Sequence, residues 1–281
     1  MSEVIVHHVE PAGASPSVTD AGLLLGHGVF ATMRGYDGAC FRPRAHLEHF
    51  ARGAALLGLA VPRSTDGLVD LADGAAGRIA NARVRITLTA TREGSAPIFS
   101  VLVAPIDVPT ADEYARGVAS TIVTTRRAPP STFDGSIKTT SYAPQLLAQR
   151  EARARGVRDG IQLATDGSLA CGTMGNLFVV HGNTLLTPPT STGCRAGVTR
   201  SAVIELAARA GLGFREERLD PVALVEANEA FFTSTRVECL PIAAVDGRAI
   251  GRGTFEKTHA LREAFRSLVA TETKTKARRT G

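Results

Sequence analysis

Residues 136–156 read SIKTTSYAPQLLAQREARARG, with a helix expected from about Tyr142 to Arg155 and Lys138 standing just ahead of it. Lys138 is the only lysine in the first 256 residues, although Lys and Arg together number 32. Elsewhere the chain meets its need for positive charge with arginine, whose guanidinium stays protonated and cannot act as an amine nucleophile. A primary amine can lose its proton when desolvated and condense with an aldehyde to a Schiff base. Lys138 is therefore either a surface lysine or a chemical one, and the segments around it decide which.

Downstream, ASTIVTT (119–125), GIQLATDGSLAC (160–171), NLFVVHGNTLLTPP (176–189) and EAFFTSTRVECLPIAAVDGRAIG (229–251) read as strands and hairpins. Helices are expected over 199–211, 221–229 and 258–270. Upstream, FATMRG (30–35) and ACFRP (39–43) flank the turn-prone YDG. The helix at 44–59 then places Leu47, Phe50, Ala54 and Leu57 on one face. RVRITLTAT (83–91) and IFSVLVAPI (98–106) close this half as an antiparallel pair, giving an α+β character. DVPTADEYARG breaks the pattern, so the domains are expected at 1–106 and 118–281 with a crossing at 107–117. The final segment, 270–281, loses apolar periodicity and is expected to fray.

At 281 residues and 44% hydrophobic, the chain can bury one large core or two ordinary ones. No apolar run long enough for a membrane span and no secretory leader stand out, so a cytoplasmic protein is expected. The formal charge of +5 is spread among acidic residues, and there are three Tyr and no Trp. Nucleic acid is thus a poor partner, and anionic small molecules suit the field better. Cys40, Cys171, Cys194 and Cys239 show neither disulfide nor metal spacing, so no metal is expected.

Two loops supply what a phosphate needs. In TPPTSTGCRAGVTR (187–200) a Gly- and Pro-rich loop enters a helix at about Thr199, a suitable cap residue, and backbone N–H groups there can hold an anion. In FFTSTRVE (231–238) the hydroxyls of Thr233, Ser234 and Thr235 follow an apolar strand.

Taken with Lys138, these segments resemble the class-IV aminotransferase family, the fold-type IV pyridoxal-phosphate enzymes. The resemblance extends over residues 22–41, 45–59, 136–142, 162–180, 185–200 and 228–238. It implies a small α/β domain followed by a larger β-pseudobarrel domain, a homodimer, and pyridoxal 5'-phosphate as cofactor. By the same resemblance Lys138 forms the Schiff base and moves a proton, Tyr142 meets the cofactor phenolate, and Val198, Thr199 and Thr235 meet its phosphate.

The chain departs from its relatives at four positions. Cys171 stands where the family usually has the Glu that protonates the pyridine nitrogen, and His49 where it has a phosphate-binding Arg. Leu25 and Ala31 replace a common Tyr and Glu and, with Arg85 and Ser234, are expected at the substrate. The implied reaction is amino transfer between an amino acid and a 2-oxo acid. The alternatives are pyruvate elimination, as in aminodeoxychorismate lyase, and a catalytically silent binding or scaffold protein.

Overall fold

The computed structural model describes residues 4–92 and 95–277. It divides into two compact units: the described parts of Met1–Asp107, Ser136–Tyr142 and Leu268–Gly281, and Val108–Gly135 with Ala143–Ser267. The division at Asp107 falls within the expected crossing, but the lysine-bearing segment groups with the first unit.

The first unit holds β1 (Ile5–Glu10), α1 (Ala21–Leu24), β2 (Gly28–Tyr36), β3 (Ala39–Cys40), α2 (Pro43–Leu56), α3 (Thr65–Ala76), β4 (Asn81–Thr89) and β5 (Ile98–Pro105). Its antiparallel sheet runs β1-β5-β4-β2-β3. The β2–β3 hairpin turns on Asp37 and Gly38, with φ of 47° and 93°. A two-residue turn that follows the twist of its strands needs positive φ at both centres, which Asp-Gly supplies. Alternation along the strands puts Val29, Met33, Val84, Ile86 and Phe99 into one cluster with Leu47 and Phe50 of α2 and Leu68 and Ala72 of α3. Helices thus cover one face of this sheet.

The second unit holds α4 (Ala111–Arg116), β6 (Val118–Ile122), α5 (Ala143–Ala154), β7 (Asp159–Leu163), β8 (Leu169–Gly172), β9 (Asn176–His181), β10 (Thr184–Thr187), α6 (Val198–Ala207), β11 (Gly213–Glu216), α7 (Val222–Val225), β12 (Glu229–Ser234), β13 (Glu238–Val245), β14 (Arg248–Ala249) and the first half of α8 (Glu256–Ala277). The nine strands form a mixed sheet ordered β11-β10-β9-β12-β13-β6-β7-β8, with β14 beside β13. The pairs β10–β11, β6–β13 and β6–β7 are parallel. Ile161, Leu163, Leu169, Leu177, Phe232 and Leu240 belong to its main core.

Two expectations need correction. Residues 111–116, inside the expected crossing, form α4, because Thr110 and Glu113 make a reciprocal capping box. Residues 270–277 continue α8 rather than fray. Glu272 pairs with Arg42 at 3.0 Å, and the Thr273 hydroxyl donates to the Val269 carbonyl. The rest of the expected frayed segment, 278–281, lies outside the described residues.

Buried Glu229 accepts the N–H groups of Lys257 and Thr258 at 2.9 and 2.8 Å and the Thr258 hydroxyl at 2.7 Å, which satisfies the start of α8. Among the described residues no helix is long and apolar enough to cross a membrane, and no cluster of three His, Cys, Asp or Glu could hold a metal. All four cysteines are buried free thiols.

Candidate active site

Lys138 is held by the sheet of the first unit, as an added strand along the first half of β2. The Phe30 N–H donates to the Lys138 carbonyl at 2.8 Å, the Thr140 N–H to the Gly28 carbonyl at 2.9 Å, and Val29 pairs with Thr139. The Thr140 hydroxyl donates to the Gly26 carbonyl at 2.8 Å, and the Ser141 hydroxyl bonds the Leu25 and Gly26 carbonyls. Gly26 has φ +65°, and a Cβ there would stand 2.5 Å from the Ser141 oxygen, so glycine is required for the approach.

This pairing fixes where the amine points. Buried Ile137 and Thr139 share the face of Val29, where Ile137 packs beside Gly53 of α2. By the two-residue period, Lys138 projects to the opposite face together with Phe30. There its Nζ stands 4.8 Å from the Phe30 ring centre, Tyr142 packs edge-on to that ring at 5.5 Å, and the Arg85 guanidinium lies 3.7 Å from the ring centre. Burial holds the Arg85 guanidinium below its usual pKa, with Tyr142 pulling the other way. Arg85 also donates to the Thr87 hydroxyl at 3.2 Å.

The structure therefore gathers Lys138, Tyr142 and Arg85 about Phe30, a residue that no sequence motif singles out. Ala31 goes the other way, into the helix-covered core with Val29 and Met33. Leu25 contributes a carbonyl to the anchor while its side chain is 74% exposed. His49 lies half-buried on α2.

The second unit, taken by itself, carries a separate candidate feature at the start of α6. Gly197, not Thr199, is the N-cap, and no side chain caps the helix. A Cβ on Gly197 would come within 2.5 Å of the Asn176 amide oxygen, so a Thr side chain cannot be accommodated at the cap. Val198 and Thr199 are buried in the first turn, where N–H groups lack intrahelical acceptors. Asn176 donates to the Arg195 carbonyl at 2.7 Å and is paired across the ladder with Thr233 of β12. Thr233 is fully buried and its hydroxyl has no partner. Its strand neighbour Phe232 belongs to the main core, so Thr233 faces away from that core, on the same side as Asn176. A helix start without a cap beside a buried, unpartnered hydroxyl fits an anion such as phosphate.

Ser234 ends β12. Its hydroxyl accepts the N–H groups of Arg236 and Val237 at 3.3 Å, closing the β12–β13 turn. Thr235 is half-buried in that turn.

Cys171 lies in β8, in a small-residue cluster with Ala164, Ala170 and Cys194. Burial pushes its thiol up to about 11, with Arg127 pulling weakly the other way, so the group is neutral at physiological pH. Beyond it the β8–β9 turn is fixed by Asp159, which accepts the Gly160 N–H at 3.0 Å and the Thr173 hydroxyl. Thr173 also faces the Gln149 amide oxygen. Burial raises Asp159 to about 6, against the lowering by Thr173.

A sequence model of the family described as "Amino-transferase class IV" matches residues 28–245. A putative branched-chain-amino-acid aminotransferase of Methanocaldococcus jannaschii is 30% identical over 271 residues, covering 92% of this chain and 93% of that protein. A crystal structure of the Escherichia coli branched-chain amino acid aminotransferase superposes with a TM-score of 0.87 at 28% identity, covering 92% of this chain and 91% of that one. At 24% identity and a TM-score of 0.86, a further branched-chain amino acid aminotransferase, from T.th. and solved with pyridoxamine 5'-phosphate, shares the fold over 92% of this chain and 90% of that one. These relatives favour amino transfer over elimination and over a silent scaffold. The chain is an enzyme of the class IV aminotransferase family, with its two-unit fold and the amino-transfer chemistry that defines it.

Proposed function

We propose that this chain uses pyridoxal 5'-phosphate to move the amino group of a branched-chain or similar apolar amino acid to a 2-oxo acid. The observation that carries the reading is the placement of Lys138 and Arg85 about one aromatic ring. An amine and a partly desolvated guanidinium that share one aromatic ring suit a substrate that brings both an amino group and a carboxylate. Phe30 gives the apolar surface against which an aliphatic side chain can pack.

When bound, pyridoxal phosphate supplies an aldehyde for an amine and an electron-withdrawing ring for the substrate α-carbon. Lys138 would hold the aldehyde carbon and then carry the proton that leaves the substrate α-carbon back to the cofactor C4′. Tyr142 would donate to the phenolate oxygen. The N–H groups of Val198 and Thr199, with Thr233, would bind the phosphate, and Thr235 and His49 would lie near it. Cys171 would lie toward the ring nitrogen. Arg85 would orient the substrate carboxylate, whereas Leu25, Ala31 and Ser234 keep only indirect roles. The family resemblance further supports a homodimer and a cytoplasmic enzyme.

The test is direct. Purified protein with pyridoxal phosphate should show a visible absorbance band that borohydride removes, and Lys138→Ala should abolish both band and turnover. Valine, leucine and isoleucine with 2-oxoglutarate should give the fastest amino transfer in a donor screen. A wild-type protein with no such band would defeat the reading.

A further inference from the structure

Next to Cys171 is an acceptor that no part of the fold uses. Gln162 of β7 is 1% exposed, and its amide nitrogen donates to the Thr125 carbonyl at 3.2 Å. That bond fixes which end of the amide is nitrogen, because a carbonyl can only accept. The amide oxygen must then point the other way, and there it is buried without a partner. Leaving such an oxygen unpaired costs a well-packed interior more than an apolar side chain would, so the position asks for a donor from outside the chain.

The neighbourhood tells which donor. Gln162 stands directly opposite Cys171 on the antiparallel β7–β8 pair. Residues opposed in this way present their side chains to the same face. The strand neighbours Ile161 and Leu163 belong to the main core, so Gln162 is turned from it, as is Cys171, which lies in the separate cluster with Ala164, Ala170 and Cys194. Each side chain of that cluster is shorter than any that bears a carboxylate. The thiol is neutral and only a weak hydrogen-bonding group, so the strongest unfilled acceptor on this patch is the Gln162 oxygen.

We propose that Gln162 is a further cofactor-positioning residue, whose amide oxygen accepts the ring N–H of the bound pyridine and so takes over, in neutral form, the place left by a missing carboxylate at Cys171. This rests on the reading given under Proposed function, that the ring nitrogen lies toward Cys171. A neutral acceptor favours the protonated ring, but less than a carboxylate does, because it offers a hydrogen bond without a full opposing charge. The ring nitrogen in this enzyme should accordingly lose its proton at a lower pH than a carboxylate partner would allow.

The experiment uses the full chain loaded with pyridoxal phosphate labelled with 15N in the ring, read by NMR across pH and by cofactor titration. Wild type should show a protonated ring nitrogen at neutral pH that titrates on raising the pH. Gln162→Leu, close in volume, should shift the resonance to the unprotonated position and weaken cofactor binding about fivefold, the worth of one hydrogen bond. Gln162→Glu should keep the ring protonated to higher pH than wild type, and it serves as a second reading if the Leu variant folds poorly. Identical 15N titrations in wild type and Gln162→Glu, or in wild type and Gln162→Leu, would overturn the proposal while leaving the enzyme reading intact. Wild type that takes up no pyridoxal phosphate at all would overturn both.

Discussion

Two helices of the second unit begin in opposite ways. At α8 a buried carboxylate, Glu229, takes two backbone N–H groups and a hydroxyl, so the positive end of that helix is neutralised from within the chain. At α6 the N-cap is Gly197, which makes no side-chain cap bond, and the hydroxyl of buried Thr233 is unpartnered. The first arrangement is finished and the second is not. A helix that serves only the fold carries its own anion, while a helix set aside for a ligand is kept bare, and the fold bears the cost until the ligand arrives.

The contrast breaks most visibly at Glu229. Glu229→Ala strands the first turn of α8 and should cost about 3 kcal/mol in denaturant unfolding, since it removes charge-assisted bonds to buried groups. Cofactor affinity per folded molecule should stay unchanged. Asp159 sharpens the point as a buried carboxylate that faces no helix start. Its folded pKa of about 6 exceeds the 3.8 of an ordinary Asp, so the native state binds more protons than the unfolded chain between these values. Stability should therefore fall as pH rises from about 4 to 6 and level off above. Asp159→Asn should flatten that slope, on the order of 2 kcal/mol across the window, in melting temperatures taken from pH 4 to 7.

At α6 the signs should reverse. Thr199→Asp supplies the missing anion and should stabilise the cofactor-free protein by about 0.5 kcal/mol, yet weaken pyridoxal phosphate binding at least about tenfold through repulsion of its phosphate. Calorimetry of the free protein and titration of the cofactor read the two effects separately. The smallest effect is expected from Thr233→Val, which should be close to neutral for the free protein and weaken cofactor binding by about fivefold, one hydrogen bond. A Val variant that binds as tightly as wild type would remove Thr233 from the phosphate site.

How much of this could be read from the residues depended on range. The Asp37-Gly38 hairpin, the α2 face through Leu47 and Phe50, and the β4–β5 pair are local patterns, and the sequence carries them openly. Lys138 was legible because amine chemistry cannot be done by arginine. Its attachment to β2 was not, since it depends on Gly26 and Gly28 more than a hundred residues earlier, and nothing within SIKTTSY names those partners. The helix α3 has no counterpart in the sequence reading because Gly67 and Gly74 weaken its pattern. The Ser64 cap and the burial of Leu68 and Ala72 restore it. Propensity places the start of α6 at Thr199, whereas the tight approach of Gly197 to Asn176 decides it. Phe30, Asn176 and Gln162 each matter through a cross-strand neighbour, a relation that single-chain periodicity does not contain.

The unpaired hydroxyl of Thr233 reaches beyond affinity. A protein that is less settled when empty is the form that cellular proteases find first, and a small molecule that fills the gap protects it by mass action. The amount of this enzyme in a growing cell should then follow vitamin B6 supply, falling during starvation through faster turnover at an unchanged rate of synthesis.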